Sequence, residues 1–271
     1  MSGEFTLAPD WQSADSEPLR AGFGRGLLEA GRRDERVVAL CADLTESTMM
    51  HMFADEFPRR FIEVGIAEQN LVTVASGLAR AGKIPFTSSY AAFSPGRNWE
   101  QIKTTAALND MPVKVVGSHT GVNVGPDGAT HQMLEDIALM RVMPNMVVVA
   151  PADSVEAEKA TLAIAQNSRP SYLRLARDAT PTFTTPGTPF ELGRAYVVRE
   201  GTDVTLIGTG TMTYELLVAT EILAAQGIDA ELIHAPTVKP FDEETVLRSV
   251  SKTGLAVTAE EAQIAGGWAA W

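Results

Sequence analysis

The 271-residue chain is 45% hydrophobic and carries 22 basic against 34 acidic residues, a formal net charge of -12. That length suffices for a large core and tends to divide into two domains, while Lys and Arg scattered on an acidic background exclude neutralisation of a nucleic-acid backbone. The longest apolar runs fall far below the ~18 residues of a membrane span, and residues 1–18 carry four acids without the apolar stretch of a signal peptide, so a cytoplasmic chain with no nucleic-acid or membrane partner is expected.

Residues 1–16, interrupted by Gly3 and Pro9, are expected as a flexible arm or a strap over a neighbour, with Trp11 as its anchor. A helix follows from Glu17 through Leu19, Phe23, Leu27 and Leu28, and ends near Gly31 with Arg32 and Arg33, a basic pair suited to a helix C-terminus. The run over 37–42 reads as a strand holding the lone Cys41, a small buried hydrophobe with no basic neighbour to activate it. The polar loop 43–48, Asp-Leu-Thr-Glu-Ser-Thr, then leaves that strand, and its Ser47 and Thr48 have the chemistry of helix caps.

Phe61, Ile62 and Val64 form a short apolar strand, Gly65 a tight exit, and Leu71, Val74, Ala75, Leu78 and Ala79 a helical stripe. Glu68 therefore stands at a strand-to-helix junction. There it either complements the helix dipole or presents a carboxylate for chemistry. The stretch 84–110 reads as strand, loop and helix, with Tyr90 and Phe93 three apart on the loop, a spacing open to core packing or to a ring-stacking platform.

A strand over 113–118 leads into His-Thr-Gly-Val-Asn-Val-Gly-Pro-Asp-Gly-Ala-Thr-His-Gln, a glycine-rich loop with His119 and His131 near its ends. Loops of that length are uncommon in compact α/β domains and are often functional, although the Pro-Asp-Gly around Asp127 also has plain turn chemistry. Helix from 131 to 141, strand over 146–149, helix over 154–165 and strand over 172–175 follow, with Arg177 beyond the last strand and Arg174 expected as a surface charge near a linker. Alternating strand and helix predicts a doubly wound parallel sheet covered on both faces.

Three prolines, one glycine and five threonines over 178–189 mark a linker, placed at 181–190, between a first domain over 17–180 and a second over 191–271. The second reads as a smaller α/β unit: strand 203–207, helix 213–226, strand 229–233, helix 243–250, strand 254–258. Its Ile-Gly-Thr-Gly-Thr-Met turn lacks the full dinucleotide fingerprint and reads as a tight turn.

Four separated segments in the same order, 65–70 (GIAEQN), 119–132, 175–178 (LARD) and 260–267 (EEAQIAGG), resemble the transketolase family, and more narrowly the second subunit of a split transketolase. The resemblance covers nearly all of the chain after residue 16. It implies a pyrimidine-binding domain followed by the family's C-terminal domain, thiamine diphosphate as cofactor, and transfer of a two-carbon ketol unit from a ketose to an aldose. It also implies that Glu68 shares a proton with the pyrimidine ring nitrogen of the cofactor, that Tyr90, Phe93 and Asp43 help to hold the cofactor, and that His119 and His131 address the sugar and the bound intermediate. Imidazole can donate and accept protons close to neutrality. Asp127 matches a carboxylate that selects a donor hydroxyl, while Arg177, Arg20 and Ser47 match the group that grips a distant phosphate, for which a guanidinium fork is well suited. A third aromatic common in the family is replaced by Gly96, so a looser pocket, or one completed by a partner, is expected.

No Gly-Asp-Gly occurs in the sequence. The resemblance therefore implies that the diphosphate and Mg2+ are held by a separate N-terminal subunit, that this chain ligates no metal itself, and that the assembly is α2β2. The double glycine close to Trp271 suggests a short or truncated second domain. Competing expectations are the β subunit of a 2-oxoacid dehydrogenase or a deoxyxylulose-phosphate-synthase-like enzyme, and a non-catalytic partner subunit. The 119–132 loop disfavours the 2-oxoacid dehydrogenase reading, and the joint presence of Glu68, His119 and His131 the non-catalytic one.

Overall fold

The computed structural model describes residues 4–269; the chain end at Trp271 lies outside the described residues. In chain order the first part comprises β1 (Ser16–Pro18), α1 (Leu19–Arg33), β2 (Val37–Cys41), α2 (His51–Glu56), β3 (Phe61–Glu63), α3 (Glu68–Arg80), β4 (Ile84–Tyr90), α4 (Trp99–Gln101, continuing into a π-helical turn at Ile102–Ala107), β5 (Lys114–Thr120), α5 (Asp136–Arg141), β6 (Val147–Val149), α6 (Ser154–Gln166) and β7 (Ser171–Ala176). Then come β8 (Ala179–Pro181), β9 (Tyr196–Arg199), β10 (Val204–Gly208), α7 (Met212–Ala225), β11 (Ala230–His234), β12 (Thr237–Lys239), α8 (Glu243–Thr253) and β13 (Ala256–Ala259).

The large sheet runs β12-β6-β7-β5-β4-β2-β3, and only β12 is antiparallel to its neighbour. Alternation along β2 shows why it is covered on both sides. Val37, Ala39 and Cys41 pack under α1, α2 and α6 with Phe23, Leu27, Phe53 and Ala157, while Val38 and Leu40 face α3, the π-helical turn and α5 with Leu71, Ala75, Ile102 and Met140. Cys41 is fully buried and burial pushes its thiol pKa up. Four glycines in α1 run against helix propensity, and packing accounts for two of them: a Cβ at Gly22 would lie 1.8 Å from the Ser154 carbonyl oxygen of α6, and one at Gly26 would lie 2.8 Å from that of Glu158.

The smaller sheet runs β13-β10-β11-β9, with β9 antiparallel to β11. Its core includes Phe5 and Phe183 beside Tyr196, Leu206, Leu217 and Leu232. The segment expected as a flexible arm or a strap is thus packed over its described part. Phe5 meets the Tyr196 ring at 5.8 Å, Trp11 meets Tyr214 at 6.3 Å, and Leu7 bridges to Thr184. The linker is equally ordered. Ala179–Pro181 pairs antiparallel with Ser16–Pro18, and Asp153, which caps α6, accepts both the backbone NH and the hydroxyl of Thr184 at 2.7 and 2.8 Å. Strap and linker hold one another against the second sheet, which a composition argument about prolines and threonines does not reveal.

Three further expectations change. Arg174 is no surface charge: it is 5% exposed and donates through Nε to Asp136 at 2.9 Å, an acid that is itself fully buried and also accepts from Tyr172 Oη at 2.8 Å. The helix expected from 131 begins only at Asp136, because reciprocal backbone bonds between Gly121 and Met133 pin that stretch across the neck of the preceding loop. Strands β9 and β12 go unforeseen. Between the domains, Glu156 of α6 and His234 of β11, both buried, meet at 2.8 Å, and Thr213 sits on the other ring nitrogen of His234 at 2.7 Å. Among the described residues no helix is long and apolar enough to cross a membrane.

Candidate active site

Ladder partners Cys41 with Ser88, Tyr90 with Ser118 and Thr120 with Ala176 bring the C-terminal ends of β2, β4, β5 and β7 side by side. That edge is where open parallel sheets present ligand sites. Asp43 follows β2, Tyr90 ends β4, His119 stands at the end of β5, and Arg177 follows β7. Glu68 opens α3 on the same side, one short turn after β3.

Glu68 is 2% exposed. Its Oε2 accepts from Arg97 Nη1 at 3.0 Å, and its backbone carbonyl accepts from the buried Asn98 side chain at 2.7 Å. The Arg97 guanidinium also lies 4.8 Å from the centre of the Phe93 ring, and its side chain stays 51% exposed. Neither Arg97 nor Asn98 was expected from sequence. Arg97 immediately follows Gly96 in the aromatic loop, and that adjacency is the only signal available there. At Gly96 the structure explains the missing third aromatic: a Cβ would lie 2.2 Å from the Ala92 carbonyl oxygen, so this turn admits no side chain.

Tyr90, Phe93, His119 and His131 form one ring cluster. Tyr90 stacks on His119 with centroids 3.8 Å apart and on Phe93 at 6.1 Å, while the His131 ring stands edge-on to Tyr90 at 5.9 Å and to Phe93 at 5.3 Å. His119 owes its orientation to an irregular register between β5 and β7 and to a left-handed backbone at φ 57°, a device that re-aims a side chain at a sheet edge. Ser118 lies 2.8 Å from its Nδ1, and Thr130 lies 2.8 Å from Nδ1 of His131. Burial first, then the nearby Arg20 and Arg177 charges, push the His119 pKa down to about 4. At that value the His119 imidazole is neutral at pH 7.

Arg20 reaches across from α1 to donate to the Arg177 backbone carbonyl, so two guanidinium groups share one side of the loop. Arg177 pairs with Asp178 at 3.1 Å, and a Cβ at Gly125 would stand 2.6 Å from its Nη1, which fits glycine at that position with φ 60°. Asp127 is exposed on the same loop, close enough to His119 to oppose the drop in its pKa. Asp43 and Ser47 lie on the loop after β2. The backbone NH of Asp43 donates to Glu63 at 2.8 Å, and among the described residues neither side chain is hydrogen bonded to the ring cluster or to the two arginines. No group of three or more His, Cys, Asp or Glu among the described residues could hold a metal ion.

A buried carboxylate at a helix start, joined through Arg97 to the face of Phe93, which stacks with Tyr90, suits a heteroaromatic ring with a protonatable nitrogen. This half of the site fits the aminopyrimidine end of thiamine diphosphate.

The model of the transketolase pyrimidine-binding domain matches residues 17–182, and that of the transketolase C-terminal domain matches residues 193–270. A putative transketolase C-terminal section of Methanocaldococcus jannaschii is 44% identical, over 92% of this chain and 78% of its own length. A 6-deoxy-6-sulfo-D-fructose transketolase subunit of a Clostridium species is 45% identical, over 92% of this chain and 77% of its own length. Among solved structures, a split-gene transketolase described as an inactive β4 tetramer superposes with a TM-score of 0.87 at 41% identity, covering 93% of this chain and 82% of that one. The chain therefore belongs to the transketolase family, a thiamine-diphosphate-dependent family of transferases, as a C-terminal subunit of the split kind.

Proposed function

We propose that this chain is the catalytic-glutamate subunit of a split transketolase that moves a two-carbon ketol unit from a ketose or ketose phosphate to an aldose or aldose phosphate. The carrying observation is the Glu68 carboxylate, buried at the start of α3 and joined through Arg97 to the face of the Phe93 ring, which stacks with Tyr90. When bound, thiamine diphosphate supplies a carbanion at its thiazolium C2 and a sink for the electrons of the cleaved carbon–carbon bond. Glu68 holds a proton at the pyrimidine ring nitrogen, and Tyr90 and Phe93 position that ring. Asp43, two residues beyond β2, helps to hold the cofactor.

His119, kept neutral, and His131 hydrogen-bond the sugar hydroxyls, while Asp127 reads the configuration of a donor hydroxyl. Arg20 and Arg177, with Ser47, grip a terminal anion on the substrate. A guanidinium pair suits phosphate or sulfonate, and the Clostridium relative is named for a sulfonated sugar. The partner carries the diphosphate-binding module and the Mg2+, and the assembly is α2β2. Two observations support a partner: the sequence lacks Gly-Asp-Gly, and the split-gene relative is described as inactive when it forms β4.

Glu68→Gln tests the reading in the reconstituted complex. Gln keeps the size of Glu but cannot share a titratable proton, so kcat and hydrogen–deuterium exchange at C2 are expected to fall by about 10² to 10⁴, with the affinity for the cofactor weakened less. Wild-type exchange and turnover in the variant would leave Glu68 as a helix-opening acid.

A further inference from the structure

We propose that Glu261, on the segment after β13 in the second domain, is a positioning residue that sets the shape of the 119–132 loop in the first. The inference rests on the reading that this loop carries the substrate-facing histidines, and it gives the second domain a part in the active site.

One oxygen of Glu261, Oε1, accepts the backbone NH groups of Val122 and Asn123 at 2.9 and 3.1 Å. Both amides lie directly after the point where the loop leaves the sheet. Paired amides on a carboxylate are charge-assisted bonds, roughly twice as strong as neutral ones. Gly121 leaves the room for this contact: its φ is 78°, and a Cβ there would stand 2.2 to 2.5 Å from the Glu261 carboxyl atoms. Gly121 is also locked to Met133 by backbone bonds of 2.7 and 3.0 Å, and Gln132 donates to the Val122 carbonyl at 3.0 Å. His119 and His131 each lie two residues before a member of that locked pair, so a shift of residues 121–123 moves both rings.

Glu261 is itself fixed from behind. Its backbone carbonyl accepts from Arg174 Nη2 at 2.6 Å, Arg174 is held by the buried Asp136, and Gln263 donates its NH to the Leu134 carbonyl at 3.0 Å. The chain of fixed groups runs from the sheet through Arg174 to Glu261 and back to the loop amides. A residue needed only to join the two domains would not require both amides of the catalytic loop as its donors.

The test is amide hydrogen exchange at Val122 and Asn123 in the purified chain, combined with ketol-transfer kinetics in the complex with its partner subunit. Glu261→Ala should raise exchange at the two amides by on the order of tenfold or more and lower kcat by a similar factor, with little change in the melting temperature of the first domain. Glu261→Gln keeps one acceptor oxygen and should restore kcat to within about threefold of wild type. Should Glu261→Ala fail to fold, Glu261→Asp, which withdraws the oxygen by one methylene, reads the same exchange. Unchanged exchange at both amides would overturn the clamp. Raised exchange with unchanged kcat would overturn the positioning role. Should the wild-type complex turn over no ketose, the proposed function falls, while the exchange measurement still decides the clamp.

Discussion

His119 shows how far one environment can carry a side chain from its ordinary chemistry. The ring is buried against Tyr90 with two guanidinium groups nearby, and its pKa drops to about 4. A histidine whose folded pKa is depressed binds its proton first in the unfolded chain. The native state therefore loses stability as pH falls from about 6.5 to about 4, and none of this term is lost above that window. The loss reaches about 3 kcal/mol when the proton is fully taken up. Urea unfolding of the wild type and His119→Asn, followed from pH 7.5 to 4, should diverge below pH 6.5, with the wild type losing more; parallel profiles would contradict the assignment. The place of Glu68 at a strand-to-helix junction was legible in sequence because strand, glycine and helical stripe are local signals, whereas the roles expected of Glu68, Tyr90 and Phe93 came only from the family resemblance. Arg97 was not legible, because it lies 29 residues beyond Glu68 and only the fold brings the two together.

At the scale of elements, the first sheet's alternation of strand and helix could be read from the sequence, since β2 is an apolar run and β4, β5 and β7 each hold a shorter apolar stretch beside a turn. What could not be read depends on partners distant in sequence. Arg174 looks like a surface charge until Asp136 appears beside it from 38 residues away, and β12 looks like coil until it pairs with β6. The buried Asp136–Arg174 pair carries a stability prediction of its own. Removing one member strands the other charge in the core, so Asp136→Ala should cost about 3 to 5 kcal/mol. The double change Asp136→Leu with Arg174→Met should cost much less. Denaturant unfolding monitored by near-ultraviolet circular dichroism checks both, and an equal cost for the two variants would show that charge stranding is not the cause.

At the scale of the whole molecule, the two larger sheets are joined by more than the linker. The Glu156–His234 pair and the Glu261 clamp cross between the parts, while the strap over Phe5, Leu7 and Trp11 and the Asp153–Thr184 contacts fasten the linker and the second sheet. The Glu261 clamp reaches the loop that follows His119 at the C-terminal edge of the first sheet, and on the proposed function that edge is the pyrimidine half of a site whose other half lies on the partner. Composition suggested a loose arm and a loose linker because prolines and threonines carry no record of what they pack on. On the proposed function this chain is catalytically incomplete by itself, and the direct measurement is ketol transfer on titrating the purified chain with the subunit that carries the diphosphate module, at fixed thiamine diphosphate and Mg2+. No turnover is expected from this chain alone, with activity rising to a plateau at one partner per chain; turnover by the isolated chain, undiminished by removing every trace of the partner, would contradict the proposed function.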